Sequence, residues 1–189
     1  MASIVIEHLQ QIFRNTDTGI LHIYCTYNER HKAKDLVAYL VKQLTEQLPS
    51  LPEEIEELYN LHEKKRSFPQ RDDLTQIFSS VVGHFSRVFV IIDAIDECHD
   101  EESRFEFLES IKKIKSLVNT LVTSRHIASI ADIFEGDSRQ EIRATSEDIT
   151  TYVESEISRE KFVLSSDLST KPELQSNIIN QIVFNTNGM

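Results

Sequence analysis

The residues best suited to chemistry lie in one stretch, Val88-Phe89-Val90-Ile91-Ile92-Asp93-Ala94-Ile95-Asp96-Glu97. Five consecutive apolar residues, mostly β-branched, predict a strand buried on both faces. Ligands of open parallel sheets sit beyond the carboxyl ends of the strands, so this strand delivers Asp93 to the ligand edge. A carboxylate there can hold Mg²⁺ directly or through water. Asp96 and Glu97 follow on the next turn, where an acid can orient or deprotonate a water for in-line attack on a γ-phosphate. The blander reading is that the three acids solvate a loop and open the next helix. Three carboxylates within five residues repel one another, so at least one is expected to have a raised pKa.

A second signal follows in Thr120-Leu121-Val122-Thr123-Ser124-Arg125. A short strand ending there brings the hydroxyls of Thr123 and Ser124 and the guanidinium of Arg125 to the same sheet edge. Arginine can pair with a γ-phosphate oxygen; the competing reading is an ion pair with Asp93, Asp96 or Glu97. His126 reads as a surface residue opening the next helix. What is missing is as informative. A phosphate loop needs glycines about five residues apart followed by Lys and Ser/Thr, so that backbone N–H groups can turn inward around phosphate. The four glycines, Gly19, Gly83, Gly136 and Gly188, are far apart and none precedes Lys-Ser/Thr.

The elements that must position these residues alternate in type. The sequence predicts a helix from Ser3 to about Arg14 with Val5, His8, Leu9, Ile12 and Phe13 on one side, then a buried strand from Ile20 to Tyr27. Ala33 to Leu48 keeps helical spacing for four turns, and Pro49 and Pro52 end it. Glu53 to Arg66 is a polar helix, acidic first and basic last, as the helix dipole favours. Asp72 is expected to cap a helix carrying Leu74, Ile77, Phe78, Val81, Val82 and Phe85 on one face. Beyond the acidic strand come a helix from Arg104 to about Leu117, the Thr120–Thr123 strand, a short helix from Ile127 to Phe134, and an edge strand from Gln140 to Arg143. Thr145 and Asp148 form a capping box that opens a helix through Ile157. A weaker helix runs from Glu173 to Phe184. This alternation predicts an α/β fold, a parallel sheet flanked by helices with a helical C-terminal tail. The expected division is a core over 1–157, then a polar linker and the start of a helical region over 158–189.

The chain has 189 residues, 40% of them hydrophobic, and a net charge of −11. That balance argues against sequence-independent nucleic-acid binding, which needs clustered Lys and Arg. Lys64-Lys65-Arg66, the only dense basic run, is too short to serve. No apolar run approaches the roughly 18 residues of a membrane span, and the first residues carry no signal-peptide pattern. Cys25 and Cys98 show no metal-ligand spacing and read as reduced, structural thiols. A cytoplasmic location is expected.

In order along the chain, Ser3–Leu9, the Ile20–Tyr27 strand, Phe89–Cys98, Leu121–Arg125, Glu147-Asp148-Ile149 and the closing Asn187-Gly188-Met189 resemble the NACHT class of STAND P-loop ATPases, in the nephrocystin-like version abundant in fungal proteins with repeat tails. The resemblance implies that Asp93 is the Walker B carboxylate for Mg²⁺, that Asp96 and Glu97 are distal acids near the attacking water, and that Arg125 is a sensor arginine. Thr123 and Ser124 would lie beside the nucleotide. ATP and Mg²⁺ are the implied cofactors, and protein partners or self-association the implied partners. The departure is the Walker A strand and loop, which the chain lacks, so it reads as a member truncated at both ends. By the family's strand order, residues 120–123 and 140–143 would then lack their shared neighbour. Such a chain is expected to be marginally stable and inactive as an ATPase on its own. The alternative is a non-catalytic interaction or oligomerisation module derived from the same fold.

Overall fold

Three strands form one parallel sheet in the order β1-β2-β3: β1 (Thr18–Tyr24), β2 (Arg87–Asp93) and β3 (Asn119–Val122). In this computed structural model, residues 1–98, 100–159 and 172–186 are described. β2 is central, with Tyr24 of β1 and Asp93 of β2 in register at one end and Ile92 paired with Val122 of β3. Alternation along the strands sorts the side chains between two faces. Leu21, Ile23, Val88, Val90 and Ile92 enter the main core, whereas Ile20, Phe89 and Ile91 face a smaller cluster on the other side.

The main core is completed by helices α2 (Ala33–Thr45), α4 (Arg71–Val82) and α5 (Glu101–Lys113). These contribute Leu36, Val37, Leu40, Phe78, Val81, Phe107 and Leu108, all buried. α2 lies close over β1: a Cβ built on Gly19 would come within 2.6 Å of Leu44 Cδ1. α3 (Glu53–Lys65) is the polar helix expected from its charges and buries no residue fully. α6 (Ala128–Ile133) buries Ile130 in the main core.

The opposite face is covered by α1 (Ala2–Ile12), whose Ala2 and Ile6 are buried with Ile91. This corrects the expected face: Ile12 is 56% exposed and Ile6 is buried. The stripe through residues 2, 6, 9 and 13 lies beside the expected one, and the small Ala2 lets the helix come down on Ile91. At the other end the rings of Phe13 and Phe89 are 5.2 Å apart and the Arg87 guanidinium lies over Phe13. α1 therefore runs antiparallel to β2, and its N-terminal end points toward the strand's carboxyl end.

Two further expectations are corrected. Asp73, not Asp72, closes the start of α4 by accepting from Gln70 N–H at 2.8 Å, while Asp72 accepts from Lys113. Residues 140–143 form no strand. They offer a single apolar side chain, Ile142, which is exposed, and Glu141 and Arg143 pair with each other on one side of the chain. With no apolar face to bury, the segment gains nothing from joining a sheet.

The chain divides into two compact units, Met1–Glu135 and Gly136–Met189. In the second, α7 (Ser146–Arg159) packs against α8 (Pro172–Thr186). The capping box at its start is complete: Thr145 N–H and hydroxyl donate to Asp148, and Asp148 N–H donates back to Thr145 Oγ1. The linker expected over 158–172 lies, apart from its ends, outside the described residues, as does Asn187-Gly188-Met189. Among the described residues no helix is long and apolar enough to cross a membrane.

Candidate acidic site at the sheet edge

β2 ends at Asp93, and the chain turns sharply there. Ala94 takes a left-handed conformation (φ 53°, ψ 48°), uncommon for a residue with a side chain, and residues Ile95–Glu97 form one 3-10 turn. Thr123 fixes this turn. Its hydroxyl donates to Asp93 Oδ1 at 2.5 Å and accepts from Ala94 N–H at 2.9 Å. Its backbone N–H donates to Ile92 and its carbonyl accepts from Ile95 N–H, both within 3.0 Å. One residue just past β3 thus holds both the acid and the strained residue that follows it.

Asp96 is held by Arg125. The backbone N–H of Arg125 donates to Oδ1 at 3.1 Å and its Nε to Oδ2 at 2.5 Å. The carboxylate is buried, with 4% of its side chain exposed, whereas the arginine side chain is 80% exposed. Of the sequence's readings for Arg125, the ion pair is what this structure holds, and Asp96 is its partner. Glu97 and Ser124 stand beside these groups, Glu97 exposed on the 3-10 turn and Ser124 exposed between Thr123 and Arg125. All six candidate residues therefore meet at the carboxyl edge of β2 and β3.

Repulsion among the acids was expected to raise a carboxyl pKa, and for Asp96 the opposite holds. Burial pushes it upward, but the hydrogen bonds from the Arg125 side chain and backbone outweigh burial and leave it below the usual carboxylate range. The large upward shift at this edge falls on a thiol. Cys25, one residue beyond β1, is pushed up to about 12, first by burial and then by Cys98 and by Asp96, Glu97 and Asp93. Its N–H donates to Asp93 O at 3.0 Å, which places it beside the acids. The reduced, buried state expected of both cysteines is what the structure shows.

The donor set defines what the edge can hold. Asp93 has committed one oxygen to Thr123, and both Asp96 oxygens are engaged by Arg125. Among the described residues no group of three or more His, Cys, Asp or Glu side chains is placed to hold a metal ion. Asp93 keeps a second carboxylate oxygen that Thr123 does not engage, the kind of hard donor that Mg²⁺ takes directly or through water. A cleft of about 700 Å³ lies away from the six residues, among the N-terminal ends of α2, α4 and α5. Asp35, Asp73 and Asp100 already accept from those helix starts, and Arg71 in the cleft is paired with Glu106.

Sequence reasoning did not find Gln43, on the last turn of α2, and Gln47, on the turn that follows it. Gln43 accepts from His22 N–H at 3.0 Å and donates to His22 O at 2.8 Å; Gln47 does the same for Ile20, both at 3.2 Å. Their spacing on the helix matches alternate residues of the strand, which is the signal that was present. A family model described as "Nephrocystin 3, N-terminal" matches residues 1–125. The chain belongs to this family. The match covers the sheet, α1 to α5, and all six candidate residues. No curated protein matches the chain.

Proposed function

We propose that this chain carries the acidic half of a nucleotide site in a NACHT-type NTPase domain of a STAND signalling protein. In this reading Asp93 is the Walker B carboxylate, Asp96 and Glu97 are the acids near the attacking water, Arg125 is the sensor arginine, and Thr123 and Ser124 lie beside the nucleotide. The observation that supports it is the paired geometry at the sheet edge, Thr123 on Asp93 and Arg125 on Asp96, each at 2.5 Å. The N-terminal end of α1, the positive end of its dipole, points toward the same edge, where it favours negative charge.

Bound Mg²⁺ would neutralise phosphate charge there. The chain's own part is to hold Asp93 in one orientation through Thr123 and to keep Arg125 at the edge, parked on Asp96. Without a phosphate loop the chain is short of the backbone donors that carry nucleotide affinity. Hydrogen bonds to charged groups contribute roughly 1.5–3 kcal/mol each, and a micromolar complex is worth only about 8 kcal/mol. The chain alone is therefore not a useful ATPase. Isothermal titration with Mg²⁺ and ATP tests this: no heat of binding is expected at micromolar nucleotide, and Mg²⁺-dependent binding in the low micromolar range would overturn it.

A second reading, an interaction or oligomerisation module, is favoured by one observation: among the described residues no further strand pairs with the outer edge of β3.

A further inference from the structure

We propose that Ser67 is a phosphorylation site, read by a serine kinase whose substrate groove is acidic. The inference stands apart from the nucleotide reading and uses a feature that reading leaves idle, the basic run Lys64-Lys65-Arg66.

The local fold presents the serine. α3 ends at Lys65, and Arg66 takes a left-handed conformation (φ 47°, ψ 44°) that turns the chain out of the helix. Ser67 follows at once: its N–H donates to His62 O at 3.0 Å, and its hydroxyl lies 2.8 Å from His62 Nδ1. These two bonds fix the hydroxyl on the loop between α3 and α4 while the residue stays exposed. Lys64, Lys65 and Arg66 are exposed before it, and Phe68, the next residue, is 80% exposed. In chain order this gives a cationic run, a hydroxyl and an aromatic ring. The helix dipole alone accounts for the two lysines. It does not account for Arg66 beyond the helix, nor for the exposed hydroxyl and ring that follow.

Kinase grooves read their substrates as extended chain, so the last turn of α3 must open. That opening costs little, because α3 buries no residue fully and every side chain from Glu63 to Phe68 is exposed. Ser116 is the instructive contrast. It also follows lysines, Lys113 and Lys115, and precedes an exposed Leu117. Ile114 and Val118 on either side of it are buried, however, and Lys113 is bonded to Asp72. Presenting Ser116 as extended chain would pull both apolar residues from the core. No other serine or threonine directly follows a run of consecutive cations as Ser67 does.

The cations fit a groove lined with carboxylates, which pair with them as the chain docks. The Phe68 ring adds an apolar contact on the other side of the serine. In the transfer, a bond forms between Ser67 Oγ and the γ-phosphorus of ATP as the bond from that phosphorus to the bridging oxygen breaks. ADP leaves, and the hydroxyl proton passes to a carboxylate of the kinase. The product carries about −1.5 to −2 of added charge at pH 7, placed at the joint of α3 and α4.

The test uses the whole chain with Mg²⁺, ATP and the catalytic subunit of cyclic-AMP-dependent protein kinase, a serine kinase that selects basic residues before its target. Mass spectrometry locates the phosphate. Labelling of Ser67 that requires the kinase is expected, and Ser67→Ala should lose it. The double variant Lys64→Gln, Lys65→Gln removes two cations and keeps good helix formers. It should lower kcat/KM for labelling of Ser67 by about tenfold. Lys64→Arg, Lys65→Arg keeps the charge and should be labelled at the parent's rate or faster. An unchanged far-UV circular dichroism spectrum shows that each variant is folded. A folded chain that takes no phosphate overturns the assignment, and so does one labelled elsewhere, Ser116 included, while Ser67 stays bare. Labelling of Ser67 that ignores the double Lys→Gln change overturns its recognition through the basic run.

Discussion

The two outer edges of the sheet expose the same kind of backbone and are treated differently. On β1 the outward groups of Ile20 and His22 bond to the amides of Gln47 and Gln43, each glutamine imitating one residue of an absent strand. On β3 the outward groups of Thr120 and Val122 have no such partner among the described residues. The strands do not cause the difference. α2 is the next element after β1, and it lies close enough over Gly19 for Gln43 on its last turn and Gln47 just beyond it to reach the strand's rim. β3 has four residues and runs into a loop, and among the described residues no side-chain amide bonds to its outward groups. Edge protection is thus a property of the neighbouring helix.

The largest effect is expected from removing that protection. The double variant Gln43→Ala, Gln47→Ala strands four backbone groups, the two of His22 in half-buried bonds and the two of Ile20 in exposed ones. At about 1–3 kcal/mol for each group that water cannot reach, the expected loss is on the order of 2–4 kcal/mol, read as a lower urea midpoint. The rim of β1 would also be left free to pair with other chains. Light scattering should show larger species than in the parent. A variant that melts and sizes like the parent would mean that the glutamines are incidental and the edges equivalent.

The same comparison marks what was legible in the sequence. β2 could be read because a run of five apolar residues has few other uses. The α4 face and the Thr145–Asp148 box could be read because helix period and cap chemistry are local. Gln43 and Gln47 could not: polar residues on a helix look solvated until the register of the next strand is known. Arg125 was readable as a partner for one of three acids, but choosing Asp96 required the turn made by Ala94. The strand expected at 140–143 failed because alternation with one apolar residue does not make a face to bury.

The carboxyl tips of the two edge strands sharpen the contrast. β3's tip is clasped by the Arg125–Asp96 pair, and β1's tip is closed by burial of Cys25. Asp96 has its pKa lowered in the folded state, so its contribution is present above the ordinary carboxylate range and is lost as pH falls through the folded value. Asp96→Asn should cost on the order of 1 kcal/mol at neutral pH, a modest figure because Arg125 is exposed and solvent screens the pair. The gap between parent and variant should close below about pH 4. Urea titrations at neutral pH and in acid check this, and a gap that is the same at both would mean that the clasp is not ionic.

Cys25 carries the opposite sign and the smallest effect. Its folded pKa is raised to about 12 from an ordinary 9.0, so folding favours the protonated thiol. The stability this gives is complete below the unfolded value and is lost as pH rises from there toward the folded one. At neutral pH Cys25→Ala should therefore change only packing, and its effect on pH dependence should appear above about pH 9, where the parent weakens more steeply than the variant. Cys25 in the folded chain should also resist alkylation by iodoacetamide at about pH 8, because the thiolate is the nucleophile and burial suppresses it. Rapid labelling of Cys25 under native conditions would show that β1's tip opens. The burial that distinguishes it from the solvent-facing clasp on β3 would then be an average over open and closed states.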